Sequence, residues 1–374
     1  MRRREYLALG TALASGVGAV AARSTGASDG GPQETGTTRA TTATGGEKTA
    51  GEQRTTTRAE RPDGVYVQSF IETMSMQGTA RAGDYEVAVM YTIPHVFWTV
   101  TGSELSRHAR RESDSVHLMA VVWDPETGTV LPEAGVSLEI RRGDSLVSQE
   151  VIYPMLSQRM GAHYGANFQL PGDGTYTVKV SIGGMSIPRT GAFSGKFGEG
   201  ASATVELAFN EQTRSQITIR QVEQAYQPGA VRPMQMGSFP IGRAPKKGQL
   251  PGTVAGTATS DDAKLVVTRL TADQAGPLAD GRPYLAVSVR TPYNRLVLPM
   301  MGLEATVTRG NRTVYDGRLR RTLDPRLNYH YGAPVGSLQS GDQVSIRPTV
   351  PPQVARHEGY ETAFLQMGEA SVTL

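Results

Sequence analysis

The sequence predicts an all-β chain in which two tandem β-sandwich domains follow a disordered Thr-rich linker. Three observations carry that prediction. Short segments of alternating apolar and polar residues recur between positions 85 and 207, turn residues punctuate them, and the second half of the chain repeats the first.

Residues 1–23 read as a twin-arginine signal peptide. Arg3 and Arg4, followed by Tyr6 and Leu7, precede a weakly apolar run from Ala8 to Ala22, and Ala19-Val20-Ala21 offers a small-residue cleavage site. The run is short for a membrane span. The chain has no cysteine, so the lipid anchor of a lipobox is excluded, and an uncleaved signal would leave only a weak hydrophobic tether. Residues 24–62 form the linker. Positions 24–58 hold eleven Thr and seven Gly and almost nothing that can enter a core. A signal followed by such a stalk predicts an exported, extracytoplasmic protein, in a periplasm or at a cell surface.

The first sandwich is expected over 63–210. Its strand signals are Tyr85–Tyr91, Val116–Val122, Val136–Ile140, Tyr176–Ile182 and Ala203–Leu207, and turns such as Asp124–Gly128 and Pro171–Gly174 separate them. Residues 211–250 read as a Pro-rich linker carrying Pro228, Pro233, Pro240 and Pro245. The second sandwich, 251–374, repeats the first: at an offset of 167 residues, Leu118–Ala166 and Leu285–Ala333 share 16 of 49 identities. That period suits a whole domain and is too long for a solenoid unit.

Composition excludes several chemistries. Without cysteine there is no disulfide scaffold, thiolate zinc or iron–sulfur site, or cysteine nucleophile. Residues 1–62 hold 9 Lys and Arg against 6 Asp and Glu, whereas the remaining 312 hold 29 against 29, so no nucleic-acid partner is indicated. The one Gly-x-Ser-x-Gly match, Gly26–Gly30, lies in the linker, with no strand before it to build a nucleophile elbow. No catalytic residue set stands out, so the chain reads as a non-enzyme.

Candidate chemistry sits in histidines and methionines. Of the 6 histidines, His163 and His330 share one position of the repeat; Thr190 pairs with His357, and His117 with Tyr284. In a strand, residues i and i+2 face the same side, so His117 and Met119 can point at one ion. Imidazole and thioether together suit copper, and thioether selects Cu(I). Ligation through imidazole weakens on protonation, near pH ~6.5 for an unperturbed histidine. Met74 with Met76, and Met234 with Met236, read as packing or as accessory soft sites. His95 reads as structural and His108 as solvated.

Tyr153-Pro154-Met155, followed by His163-Tyr164-Gly165-Ala166-Asn167, resembles the periplasmic iron-transport-associated copper-binding proteins, the Fe2+ transport protein family. The likeness covers about Tyr66–Leu207 and, more weakly, Thr253–Leu374. The resemblance implies immunoglobulin-like sandwiches that dimerise, a partner membrane iron permease, and a metal site for copper (Cu+/Cu2+) and Fe2+. Its implied ligands are His117, Met155 and His163, with the late histidine present only as His357. Met119 stands where the family has a carboxylate. The second repeat has Tyr284 and Thr322 in place of the first histidine and the methionine but keeps His330, so neither repeat holds a complete set. One site shared across a fused internal pseudo-dimer, functional as a monomer, fits that division. Two other readings stay open: a cell-surface interaction module built on duplicated domains, and an extracytoplasmic copper chaperone or oxidoreductase. Arg3→Lys combined with Arg4→Lys is expected to leave the chain in the cytoplasm on cell fractionation; normal export of that variant contradicts the signal.

Overall fold

The computed structural model of the protein describes residues 61–235 and 237–374. The signal residues Arg3 and Arg4, the linker up to residue 60, and Met236 lie outside the described residues.

The strands of the first half are β1 (Phe70–Glu72), β2 (Ser75–Ala82), β3 (Tyr85–Thr92), β4 (Phe97–Thr101), β5 (Glu104–His108), β6 (Val116–Asp124), β7 (Thr129–Val130), β8 (Val136–Arg142), β9 (Ser145–Ser157), β10 (Gly161–Phe168), β11 (Gly174–Ile182), β12 (Ala201–Phe209) and β13 (Ile219–Gln221). The second half contributes β14 (Thr253–Ser260), β15 (Ala263–Leu270), β16 (Tyr284–Arg290), β17 (Gly302–Arg309), β18 (Arg312–Asp324), β19 (Asn328–Pro334), β20 (Gln343–Val350), β21 (Ala355–Arg356) and β22 (Ala370–Thr373).

Both halves follow one strand order. The first runs β2-β3-β6-β10-β9-β8-β11-β12 and the second β14-β15-β16-β19-β18-β17-β20-β22. β9 and β18 begin at Ser145 and Arg312, and β10 and β19 at Gly161 and Asn328, so each pair is separated by the sequence offset of 167. β9 is long because it serves two sheets: its first part pairs with β8, and Tyr153–Ser157 pair with β10. β18 divides in the same way between β17 and β19. A strand that changes sheets makes the corner of a sandwich.

Alternation decides which side chains fill the core. Along β3, Val87, Val89 and Tyr91 enter the main core, while Ala88 and Met90 point to the outer face. Along β6, Leu118, Ala120 and Val122 point inward, and Met119, Val121 and Trp123 outward. The segment expected as a spacer, 211–250, covers this outer face. It forms a one-turn helix at Glu211–Ser215, pairs β13 with β1, and then lays Met234, Phe239 and Ile241 over Met90 and Met119. The apolar outer residues of β3 and β6 require such a cover, because each would otherwise forfeit roughly 1.5–3 kcal/mol of burial.

The halves also exchange short segments. β21 pairs in parallel with β9, Ala355 opposite Met155 and Arg356 opposite Leu156. The His357 N–H then donates to the Leu156 carbonyl at 3.1 Å. In the reciprocal contact, the Thr190 N–H donates to the Leu323 carbonyl at 3.0 Å, and the Leu323 N–H to Pro188 at 2.9 Å. Arg356 is fully buried, and its guanidinium donates to the carbonyls of Val354 and Pro352.

One hydrogen-bond pattern appears in both halves. The Tyr164 hydroxyl donates to the Leu131 carbonyl and accepts from the Ala134 N–H, both at 2.9 Å. The Tyr331 hydroxyl donates to Leu298 at 2.8 Å and accepts from Met301 at 3.1 Å. Tyr164→Phe and Tyr331→Phe each strand a buried donor and acceptor, so each is expected to lower stability by about 1–3 kcal/mol in urea unfolding. Unchanged midpoints in both would contradict the corner role of these hydroxyls.

Candidate metal centre

The outer face of β6, β10 and β9 carries the site. His117 stands on β6, Met155 on β9 and His163 on β10, with His163 directly opposite Met155. β4 and β21 close over them, and the turn after β21 adds His357. His95 comes from the segment between β3 and β4.

Hydrogen bonds fix which ring nitrogens are free. Asn167 donates through Nδ2 to the His95 carbonyl at 2.9 Å, so its Oδ1 must be the acceptor facing His117 Nδ1 at 2.8 Å. The His117 proton therefore sits on Nδ1 and a lone pair on Nε2. His163 Nδ1 donates to the Gly161 carbonyl at 2.9 Å, which again leaves the lone pair on Nε2. Both Nε2 atoms are buried with no hydrogen-bond partner among the described residues. His95 Nδ1 faces two acceptors, the Ile93 carbonyl at 3.2 Å and Glu72 Oε1 at 3.1 Å. Its Nε2 meets His357 Nδ1 at 3.1 Å, and His357 Nε2 lies 3.3 Å from the Met155 sulfur. The Nε2 atoms of His117 and His163 thus keep free lone pairs, the His117 one bordering the Gly165 position together with the Met155 sulfur, and His357 bridges His95 and that sulfur through its two ring nitrogens. The contact between His95 Nε2 and His357 Nδ1 fixes the two rings relative to each other.

Gly165 provides the space. A Cβ there would come within 2.9 Å of His117 Nε2, 3.1 Å of the Met155 sulfur and 3.3 Å of Met119 Cγ. The imidazoles pack tightly: ring centroids lie 4.1 Å apart for His95 and His117, 4.9 Å for His95 and His357, and 5.1 Å for His163 and His357. Nitrogens of His95, His117 and His357 lie within 4.8 Å of one another. Unpartnered nitrogens, a soft sulfur and a small open cradle fit a copper-type ion.

Burial favours the neutral form of His117, His163 and His357. Burial pushes His163 down to about 4, and burial followed by the neighbouring imidazoles holds His117 and His357 well below the ordinary histidine value. Burial also presses on His95, but the Glu72 carboxylate outweighs it and the net shift is upward. The protonation range near 6.5 expected from sequence therefore moves lower for His163.

His117, Met155, His163 and His357 come together, and Met119 borders them through Gly165. His330 lies elsewhere. Its Nδ1 donates to the Asn328 carbonyl at 3.0 Å and its Nε2 meets the Tyr284 hydroxyl at 3.2 Å, so neither nitrogen is spare. At the equivalent glycine, Gly332, a Cβ would meet the Tyr284 ring at 2.5 Å: tyrosine fills the cradle. His95, read as structural from sequence, belongs to the cluster. No repeat partner or motif marks it; only the fold reveals it, as it does Glu72. Asn167 was visible as the last residue of the His163–Asn167 stretch. His108 stacks on Phe97 at 4.7 Å, outside the cluster.

Residues 74–194 match the family model described as Fe2+ transport protein, and residues 248–373 match a domain of unknown function (DUF7350). No curated protein matches the chain. Among solved structures it is similar to the 'as isolated' FetP of uropathogenic E. coli, at 19% identity over 37% of this chain and 96% of that one, with a TM-score of 0.27. It is similar also to a copper-bound variant of that FetP, at 20% identity over 37% of this chain and 97% of that one, with a TM-score of 0.27.

The depressed pKa values make the metal-free protein acid-sensitive. Below 6.5 an unfolded imidazole takes up a proton that the buried one refuses, so stability is full above that pH and falls as pH drops toward the folded value of about 4 for His163 and His330. Each buried histidine contributes a slope of up to about 1.4 kcal/mol per pH unit. Denaturant midpoints of the apo-protein are expected to fall steeply across that window; a flat profile would contradict neutral burial.

Proposed function

We propose, starting from residues 74–194 as a member of the Fe2+ transport protein family, that this chain is an exported metal-binding protein. It takes copper, with Fe2+ as a second cargo, and assists iron uptake beside a membrane permease. The observation that carries this reading is the grouping of His95, His117 and His357 nitrogens within 4.8 Å of one another, with the Met155 sulfur beside His117 above Gly165 and the His163 ring 5.1 Å from that of His357. A bare interaction module has no use for two buried imidazole nitrogens without partners.

His117, His163, Met155 and His357 would hold the ion, and Asn167, Gly161 and His95 would orient the rings. A bound copper would supply one-electron chemistry between Cu+ and Cu2+. Thioether and neutral imidazole favour Cu+, and the imidazoles alone accommodate Cu2+. The Glu72 carboxylate beside His95 places negative charge near the site, which eases the binding of a cation.

The shared strand order, the offset of 167 and the reciprocal exchange of segments support a duplicated unit whose two copies form a pseudo-dimer within one chain. One complete site per chain follows, so a monomer suffices. Among the described residues no helix is long and apolar enough to cross a membrane. Export then rests on the Arg3 and Arg4 signal.

Copper titration of purified protein tests the assignment. His117→Ala, His163→Ala and His357→Ala are each expected to lose tight binding, and Met155→Leu to weaken Cu+ more than Cu2+. Asn167→Ala, which frees the His117 ring, is expected to cost about 10–100-fold in affinity. Unchanged binding in both His117→Ala and His163→Ala would remove the site. Unchanged binding in His357→Ala alone would confine it to the first half.

A further inference from the structure

Six of the chain's 13 methionines, namely Met74, Met76, Met90, Met119, Met160 and Met234, meet in one cluster on the outer face of the first sandwich. Three of them form a row. Met76 on β2 lies directly opposite Met90 on β3, and Met90 directly opposite Met119 on β6. Directly paired residues of antiparallel strands share a face, with Cβ atoms about 4.5–5.5 Å apart. A flexible thioether on each can reach the next.

The row has two different ends. Met76, on β2, the terminal strand of its sheet path, and Met74, just before that strand, are half-buried, whereas Met90 and Met119 are buried. At the inner end, Met119 borders the point above Gly165 where His117 Nε2 and the Met155 sulfur also converge. The thioethers thus run through directly paired positions from the edge of the sheet, where the β2 register shifts between Met76 and Gly78, to the imidazole site. Leucine would fill the same volume; what the row adds is sulfur, the donor that selects Cu(I) over hard ions.

We propose that Met76, Met90 and Met119, with Met74 at the outer end, form a second soft-metal locus that takes Cu+ in at the sheet edge and passes it by ligand exchange to Met155 and His117. Binding at the row stands independently of the imidazole centre; only the destination of the ion rests on that reading. Transfer requires no oxidant or reductant, because one thioether replaces another on an ion of unchanged charge.

Ag+ is the probe, a soft ion without redox chemistry, added to the full chain carrying carbon-13 methionine methyls. Methyl resonances of Met76, Met90 and Met119 are expected to shift with Ag+ both in the wild type and in the His117→Ala/His163→Ala double variant. Unmoved resonances at those three positions would overturn the proposal, whatever Met155 does. A Met76→Leu/Met90→Leu variant conserves volume and should cost less than about 1.5 kcal/mol in stability. It is expected to bind less Ag+ and to load Cu+ from a bathocuproine complex several-fold more slowly than the wild type. Wild-type silver content together with wild-type loading rate in that variant would likewise overturn it.

Discussion

The site depends on one backbone contact, the parallel pairing of Ala355 and Arg356 with Met155 and Leu156. β9 already pairs with β8 and β10, but its end beside Met155 has a free edge that only a segment from the other half reaches. The His357 N–H on the Leu156 carbonyl sets that side chain above His117 and His163. Folding of the second half is thereby a condition for the fourth donor. The buried Arg356 braces its own turn, its two terminal guanidinium nitrogens donating to the carbonyls of Val354 and Pro352.

The reciprocal contact carries different side chains at the corresponding positions of the second half. Thr190 stands where the exchange symmetry would place a histidine, and its hydroxyl donates to Asp324 at 2.7 Å. Thr322 replaces the thioether, and the Tyr284 hydroxyl occupies the cradle at Gly332 and caps His330. Each change replaces an open donor with a closed hydrogen bond. The polar groups at this second position are satisfied by one another, and the groups at the first are not. One interface geometry therefore supports a centre with spare lone pairs on one side and a sealed structural contact on the other.

Much of this was legible in the sequence. The period-2 segments located β3, β6, β8, β11 and β12, and the repeat located β16 to β19, because strand alternation and register are local properties. The proximity of His117, Met155 and His163 was legible because they lie on neighbouring strands within one domain. His95, in the loop before β4, and Glu72, at the end of β1, were not, since neither has a repeat partner and each reaches the cluster only through tertiary packing. The covering role of residues 228–241 was also invisible: prolines suggest a spacer, and nothing local tells that Met234 and Phe239 lie on Met90 and Met119. His330 misled because a shared position in the repeat says nothing of what faces it.

Anomalous diffraction at the copper edge, on crystals of the copper-loaded full chain, would locate the ion among these side chains. One strong peak is expected above Gly165, bonded by the Nε2 atoms of His117, His163 and His357 and by the Met155 sulfur, with no peak beside His330. Copper found only at surface histidines, or a peak above Gly165 with His357 turned away, would contradict a site built jointly by the two halves.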